Sequence, residues 1–426
     1  MDYRKILVAS LWLALAAFTA PAQAQVRDLP RAKPEAVGMS SARLARIKAT
    51  LAADVEAKKI PGAVVLVARH GKVVMYDTVG KIDPAGSAPM TKDAIFRIYS
   101  MTKPITTVTA MTMVEEGRLQ LSDPVSKYIP AFAKMQVGVE KTDASGKAVL
   151  ELAPARRPIT IQDLMRHTSG ITYGFFGTGL VKGAYADANL GDPSRSNAEV
   201  AEKIATLPLA YQPGSTWDYS QSTDVLGRVI EVVTGQPLLQ AMKERVLDPL
   251  GMQDTSFYVT DPARHPRVAE PFGDDRNIGT NANFGDPRVA GRYESGGGGL
   301  MSTPMAYARF AQMLLNGGTL DGKRLLSPKT VAYMASDHLG TAIATTPLYL
   351  PGPGFGFGLG FAVRRVTGES AVPAEAGSYF WGGAGGTYFW VDPKTDLFVV
   401  FMMQSPKQRV YYRSVMHNMV YAAVLK

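Results

Sequence analysis

The chain has 426 residues, 46% hydrophobic and 19% charged, with 41 glycines, 28 prolines and no cysteine. Apolar content near half suits a globular protein with a large core and long loops, while the lack of cysteine excludes a disulfide framework, a thiolate nucleophile and a Cys-based metal site. The formal charge of +9 is scattered, without a basic run or an interleaved aromatic stripe, so nucleic acid is not an expected partner, although mild attraction to an anionic envelope is compatible with it.

Asp2, Arg4 and Lys5 precede an apolar run from Ile6 to about Ala20, and Ala22-Gln23-Ala24 stands before Gln25. This predicts a secretory signal peptide over residues 1–24, leaving a mature chain of 25–426 that is periplasmic or secreted. A membrane anchor is the competing reading, but the run is near the lower limit for a span and ends in Pro21. No later segment is apolar enough to span, so no integral membrane span is expected after cleavage.

Ser40 to Lys58 spaces Leu44, Ile47, Leu51 and Val55 three or four residues apart, with Ser40 or Ser41 as N-cap, and reads as an amphipathic helix. Val64–Val67 and Val73–Tyr76, separated by Arg69-His70-Gly71-Lys72, read as a hairpin. Ile105 to Glu116 reads as a helix closed by Gly117. From about 119 to 299 the texture changes to short helical patterns, at Ala198–Leu207 and Val225–Val233, between loops at Gly174–Asp192 and Gly273–Gly299. The end returns to strands: Tyr388–Val391, a turn at Asp392–Thr395, then Leu397–Met403, with a helix over Val410–Leu425. The economical fold is α/β: one antiparallel sheet built from both chain ends (about 25–118 and 300–426), flanked by helices, with a mainly helical subdomain (about 119–299) inserted between its halves.

Ser100 stands just ahead of the helical run, with Lys103 three residues on. Three residues turn a helix by about 300°, which puts the two Cα atoms roughly 5 Å apart on nearly one face. A serine needs a neighbouring base, and the free N–H groups of a helix start suit an oxyanion hole. Composition alone yields roughly one Ser-x-x-Lys in a chain of this size, so a capping serine beside a solvated lysine is the alternative. Rival machinery is missing: no Gly-x-Ser-x-Gly occurs, and the histidines, His70, His167, His265, His338 and His417, show no metal spacing and read as structural or solvated. No metal or cofactor is expected.

Ser100-Met101-Thr102-Lys103, Leu119-Gln120-Leu121-Ser122-Asp123-Pro124-Val125, and Ile159-Thr160-Ile161-Gln162-Asp163-Leu164-Met165-Arg166-His167-Thr168-Ser169-Gly170 occur in that order. Tyr211-Gln212-Pro213-Gly214, Trp217-Asp218-Tyr219-Ser220, the run Gly296–Thr303 and Trp381-Gly382-Gly383-Ala384-Gly385-Gly386-Thr387 follow. Together they resemble the serine β-lactamase-related family, which holds class C β-lactamases, DD-peptidases and family VIII carboxylesterases, and the resemblance covers essentially the whole mature chain. It implies a β-lactamase/transpeptidase-like fold, Ser100 as acylated nucleophile, Lys103 as its electrostatic partner, and Tyr219 between nucleophile and leaving group. A phenol ionises only near pH 10, so a base role for Tyr219 needs nearby positive charge; Lys103 supplies it, and the two are read as a coupled pair.

The third motif bears on substrate. β-Lactamases carry Lys-Thr-Gly or a close variant there, whose cation helps hold a substrate carboxylate. Here Trp381, Gly382 and Gly383 occupy those positions and resemble family VIII esterases. They are read as substrate-binding, and the N–H of Ala384 is expected to pair with that of Ser100 as the oxyanion hole. The second motif commonly reads Tyr-x-Asn, yet the third position is Gln221, one methylene longer, which again tilts towards esters. Tyr173, Phe175, Phe176 and Phe284 either line a pocket or anchor their loops. The leading expectation is an exported serine hydrolase acting through an acyl-enzyme on short-chain esters. A DD-peptidase, amidase or weak class C-like β-lactamase is the second reading, and a non-catalytic penicillin-binding-type module the third.

Overall fold

The computed structural model describes residues 28–279, 282–283 and 285–426; the signal-peptide expectation at 1–24 and Phe284 lie outside them. Ser40 caps helix α1 (Ser41–Glu56), its side chain accepting from Arg43 N at 3.3 Å, and the expected stripe buries Leu44, Ile47 and Leu51. Strands β1 (Gly62–Arg69) and β2 (Lys72–Gly80) form the expected hairpin. His70 and Gly71 take φ of 50° and 68° at its turn, the left-handed pair that matches strand twist.

The chain continues through α2 (Thr102–Glu115), α3 (Ser222–Thr234) and α4 (Pro304–Leu315) to β3 (Phe355–Phe357), β4 (Ala362–Arg364), β5 (Tyr379–Gly382), β6 (Tyr388–Asp392), β7 (Leu397–Met403) and α5 (Arg409–Ala422). The main sheet has seven strands in the order β3-β4-β5-β6-β7-β1-β2, every neighbouring pair antiparallel. The two chain ends meet where β7 pairs with β1, one strand in from the β2 edge, with Ala63 facing Met403 and Arg69 facing Leu397. Side chains alternate along β1, so Val64, Leu66 and Ala68 join one core with Ile105, Val108 and Phe310, while Ala63, Val65 and Val67 join a second with Leu44, Ile47, Tyr412 and Met416. Helices thus cover both faces of the sheet.

Helix α2 is buried continuously from Thr102 to Met113, which a surface helix would not be. Three of its threonines are accommodated by bonding to carbonyls: Thr106 Oγ1 donates to those of Thr102 (3.2 Å) and Gly296 (2.6 Å), Thr109 to Ile105 (2.8 Å) and Thr112 to Thr109 (2.8 Å), whereas the buried Thr107 hydroxyl has no hydrogen-bond partner among the described residues. Leaving any of these three hydroxyls unpartnered would cost about 1–3 kcal/mol.

Among the described residues, 119–299 adds no strand to the main sheet. It carries α3, a helix at Asn197–Ala205, a further helix at Leu180–Asp187 inside the stretch read as loop, and a two-stranded arm, Gln136–Thr142 paired with Ala148–Pro154. The arm escaped the sequence reading because it is largely exposed and mixes charges with apolar residues, as in its Lys141–Glu151 pair at 2.6 Å. No described helix is long and apolar enough to cross a membrane.

Candidate active site

Ser100 sits in a single 3-10 turn, Tyr99–Met101, that runs directly into α2, and Tyr99 before it has a left-handed φ of 42°. For a tyrosine that backbone is strained, and it persists because flanking structure holds it. Ser100 opens on a cleft of about 1100 Å3 that Tyr173, Tyr219, Gln221 and Ala384 also line. No backbone hydrogen bond among the described residues uses the N–H of Ser100 or of Ala384. Two free donors on one cleft can receive a developing oxyanion.

Lys103, one turn on, has no solvent exposure. Its Nζ donates to Gly297 O (2.6 Å), Tyr173 Oη (3.1 Å) and Ser100 Oγ (3.4 Å), so three donors meet three acceptors. The same ammonium lies 4.5 Å from the ring centroid of Tyr219 and 5.4 Å from that of Tyr173. Burial, with Asp224 nearby, pushes the Tyr173 phenol well above its ordinary value and keeps it neutral.

Gly297 joins the lysine to a buried carboxylate. Asp224, in the first turn of α3, accepts on Oδ1 from Tyr293 Oη (2.9 Å), Ser295 Oγ (2.5 Å) and the N–H of Gly297 (3.1 Å). One peptide therefore gives its N–H to Asp224 and its carbonyl to Lys103, and a Cβ at position 297 would collide with the Asp224 carboxylate. Asp224 and Tyr293 were not among the sequence candidates, and no local pattern marks them.

Tyr219 is nearly buried, and its hydroxyl accepts from Trp381 Nε1 at 3.1 Å. The His167 ring packs edge-on at 4.8 Å from the Tyr219 ring, and its Nδ1 lies 3.1 Å from Ser220 Oγ. Burial, then the Lys103 charge, push this imidazole well below its ordinary value, so it packs as a neutral ring. The other histidines lie elsewhere: His70 on Asp396 (2.8 Å), His265 on Val259 O (2.8 Å), His338 on Tyr333 O (2.8 Å) and His417 on Tyr388 Oη (2.9 Å).

Ser100, Lys103, Tyr219, Gln221 and Ala384 are thus brought together. Trp381 is only 4% exposed and packs under Tyr219 (5.3 Å between centroids) and against Phe357 (5.2 Å). Gly382 is bare because the Arg413 guanidinium, from α5, lies where its Cβ would project. A Cβ at Gly383 would run into Thr387 Oγ1 and the Ile98 carbonyl, and Thr387 Oγ1 donates to Ile98 O at 3.2 Å. That close approach aligns the end of β5 with the segment carrying Ser100, which brings the Ala384 and Ser100 donors to one cleft. Tyr173, Phe175 and Phe176 both line the cleft and pack on one another. No described group of three or more His, Asp and Glu side chains could hold a metal ion.

A family model described as Beta-lactamase matches residues 47–417. An uncharacterized protein of Mycobacterium tuberculosis is 38% identical over 357 residues, covering 82% of this chain and 87% of that one. Esterase EstB of Burkholderia gladioli is 32% identical over 392 residues, covering 87% and 92%. The solved structure of EstCE1, described as a hydrolase with promiscuous acyltransferase activity, superimposes with a TM-score of 0.72 at 28% identity over 90% of this chain and 98% of that one.

Proposed function

The chain belongs to the beta-lactamase family and is a serine hydrolase, and from that premise we propose that it is a carboxylesterase working through an acyl-enzyme on Ser100. The observation that carries the reading is the buried Lys103 ammonium bonded to Ser100 Oγ and lying on the Tyr219 ring, with a neutral indole at the third motif. In this reaction the Lys103–Tyr219 pair acts in the form that holds one proton fewer than an ammonium and a phenol together, so that Ser100 Oγ can attack the ester carbonyl while its proton passes to that pair. The N–H groups of Ser100 and Ala384 hold the oxyanion. As the carbon–oxygen bond to the alcohol breaks, the stored proton goes to the departing oxygen through Tyr219. Water then adds to the acyl-enzyme with the same groups reversed, releasing the acid and restoring Ser100.

The similarity to Esterase EstB supports an ester rather than an amide as substrate. Export with cleavage after Ala24 belongs to the same reading, supported by the N-terminal pattern. A fluorophosphonate probe tests the central claim: peptide mass spectrometry should find it on Ser100, and an unlabelled Ser100 in folded protein would overturn the assignment. The natively produced protein should begin at Gln25 outside the cytoplasm, and an intact Met1 would remove the export reading.

A further inference from the structure

The cleft at Ser100 is larger than a short ester requires. Its volume of about 1100 Å3 stands at the upper end of the range that holds drug-sized ligands. One wall is aromatic and continuous with the reaction centre: ring centroids lie 5.9 Å apart for Tyr219 and Phe176, 4.8 Å for Phe176 and Phe175, and 4.6 Å for Phe175 and Tyr173. Phe257, Tyr258, Pro287, Val289, Leu300 and Met301 add further apolar lining.

The charged side chains described on this lining all have partners, buried for Arg97 and exposed for Asp286 and Arg292. Arg97 donates to Gly285 O (2.8 Å), Ala269 O (2.9 Å) and Glu270 (3.2 Å). Asp286 accepts from Arg288 at 3.1 Å, and Arg292 donates to Ser194 O at 3.1 Å and lies 3.5 Å from Glu199. A charged substrate group seated inside the cleft would therefore lose its water and find the buried Arg97 already engaged, while the Asp286 and Arg292 pairs lie exposed to solvent, where a further ion pair gains little. An uncharged apolar group loses nothing of that kind and gains by leaving water.

Resting on the esterase reading above, we propose that the substrate is an uncharged ester with one bulky, largely apolar body, ring-containing rather than short and linear, seated on the Tyr219–Phe176–Phe175 wall while its carbonyl lies at Ser100. Gly191 provides a way to test occupancy. Gly191 and Ala290 both lie on the lining, and a Cβ at Gly191 meets no atom within 4 Å, so Gly191→Trp adds bulk at the lining without a clash at its own backbone.

Three esters decide the matter: ethyl butyrate, the butyrate of 2-(1-naphthyl)ethanol, and ethyl 4-(1-naphthyl)butanoate. The two alcohols have nearly equal acidity, so leaving-group chemistry is matched, and the last two place the bulk on opposite sides of the carbonyl. At least one naphthyl ester should exceed ethyl butyrate in kcat/KM by roughly tenfold or more, and Gly191→Trp should cut that ratio by about fivefold or more. Ethyl butyrate hydrolysed as well as or better than both naphthyl esters overturns the proposal. So does a preference for bulk that survives both Gly191→Trp and Ala290→Trp, Ala290 being a second lining residue of the same cleft. A wild-type enzyme that hydrolyses none of the three defeats the esterase reading itself, a result distinct from hydrolysis without any gain from bulk.

Discussion

Trp381 and Tyr219, 162 positions apart in the chain, are joined by a hydrogen bond from the indole Nε1 to the phenol oxygen at 3.1 Å. The indole fills one acceptor direction of that oxygen and leaves the phenol's own proton to point elsewhere. Trp381→Phe keeps a ring against Tyr219 and Phe357 but removes the donor. Its kcat on 4-nitrophenyl butyrate should fall roughly tenfold with KM held within about twofold, as for a group acting through Tyr219. A change confined to KM would instead mean that the indole touches substrate.

Ser100→Ala should remove turnover while leaving the thermal midpoint within about 2 °C of wild type, because a half-exposed hydroxyl adds little to stability. Lys103→Ala and Tyr219→Phe should each lose on the order of 100-fold in kcat/KM. Purified Ser100→Ala retaining a tenth of wild-type activity would refute the nucleophile assignment.

A β-lactam carries a carboxylate that must shed water on binding. With an indole at Trp381, that loss should cost about 1–3 kcal/mol, or about 5- to 150-fold in rate constant. Side-by-side kinetics should therefore give a kcat/KM for 4-nitrophenyl butyrate well above that for a chromogenic cephalosporin. A cephalosporin value equal to or above the ester value would favour the amide-hydrolase reading.

His417 stacks on Trp390 at 4.0 Å, its Nδ1 lies 3.2 Å from Pro373 O, and burial pushes its pKa down to about 4. Between that value and the ordinary one near 6.5, the unfolded chain binds a proton that the folded chain does not, so this contribution to stability is complete above about pH 6.5 and is lost as pH falls towards 4. The limiting slope is about 1.4 kcal/mol per pH unit for one such group. Urea midpoints at pH 7, 6 and 5 should fall less steeply for His417→Gln than for wild type, and parallel profiles would count against this histidine as a source of acid sensitivity.

Asp163 is fully buried and accepts from Arg157 (2.5 and 2.9 Å), Arg166 (3.2 Å), Thr168 (2.7 Å) and the N-cap Thr160 (2.8 Å). Burial alone would raise its pKa, but the bonds from Arg157 and Thr168 outweigh it and hold the carboxylate below its ordinary value. The His167-Thr168 backbone that follows also holds the Tyr219 segment, through Asp218 N to His167 O at 3.0 Å. Asp163→Ala should cost roughly 2–3 kcal/mol, since it leaves the buried Thr168 hydroxyl and the Thr160 N–H without their acceptor and two part-exposed arginines without a counter-charge. Chemical denaturation measures this, and a loss below about 1 kcal/mol would show that the cluster is not needed.

Local chemistry determined the parts of this protein that repeat at short range. The spacing of Leu44, Ile47 and Leu51 decides α1, the runs of β-branched residues decide β1, β2 and β7, and the interval from Ser100 to Lys103 puts two side chains on one helical face before any tertiary contact is known. Tertiary structure alone decided what those side chains meet. Lys103 finds Tyr173 at a separation of 70 residues and Gly297 at 194, and Gly383 is a glycine because Ile98 passes beside it. The arm at Gln136–Pro154 was likewise hidden, since an exposed two-stranded ribbon needs no alternating pattern. Periodicity reports which face of an element is buried, whereas a hydrogen bond or a close backbone approach depends on where a distant segment arrives, and no local repeat encodes that position.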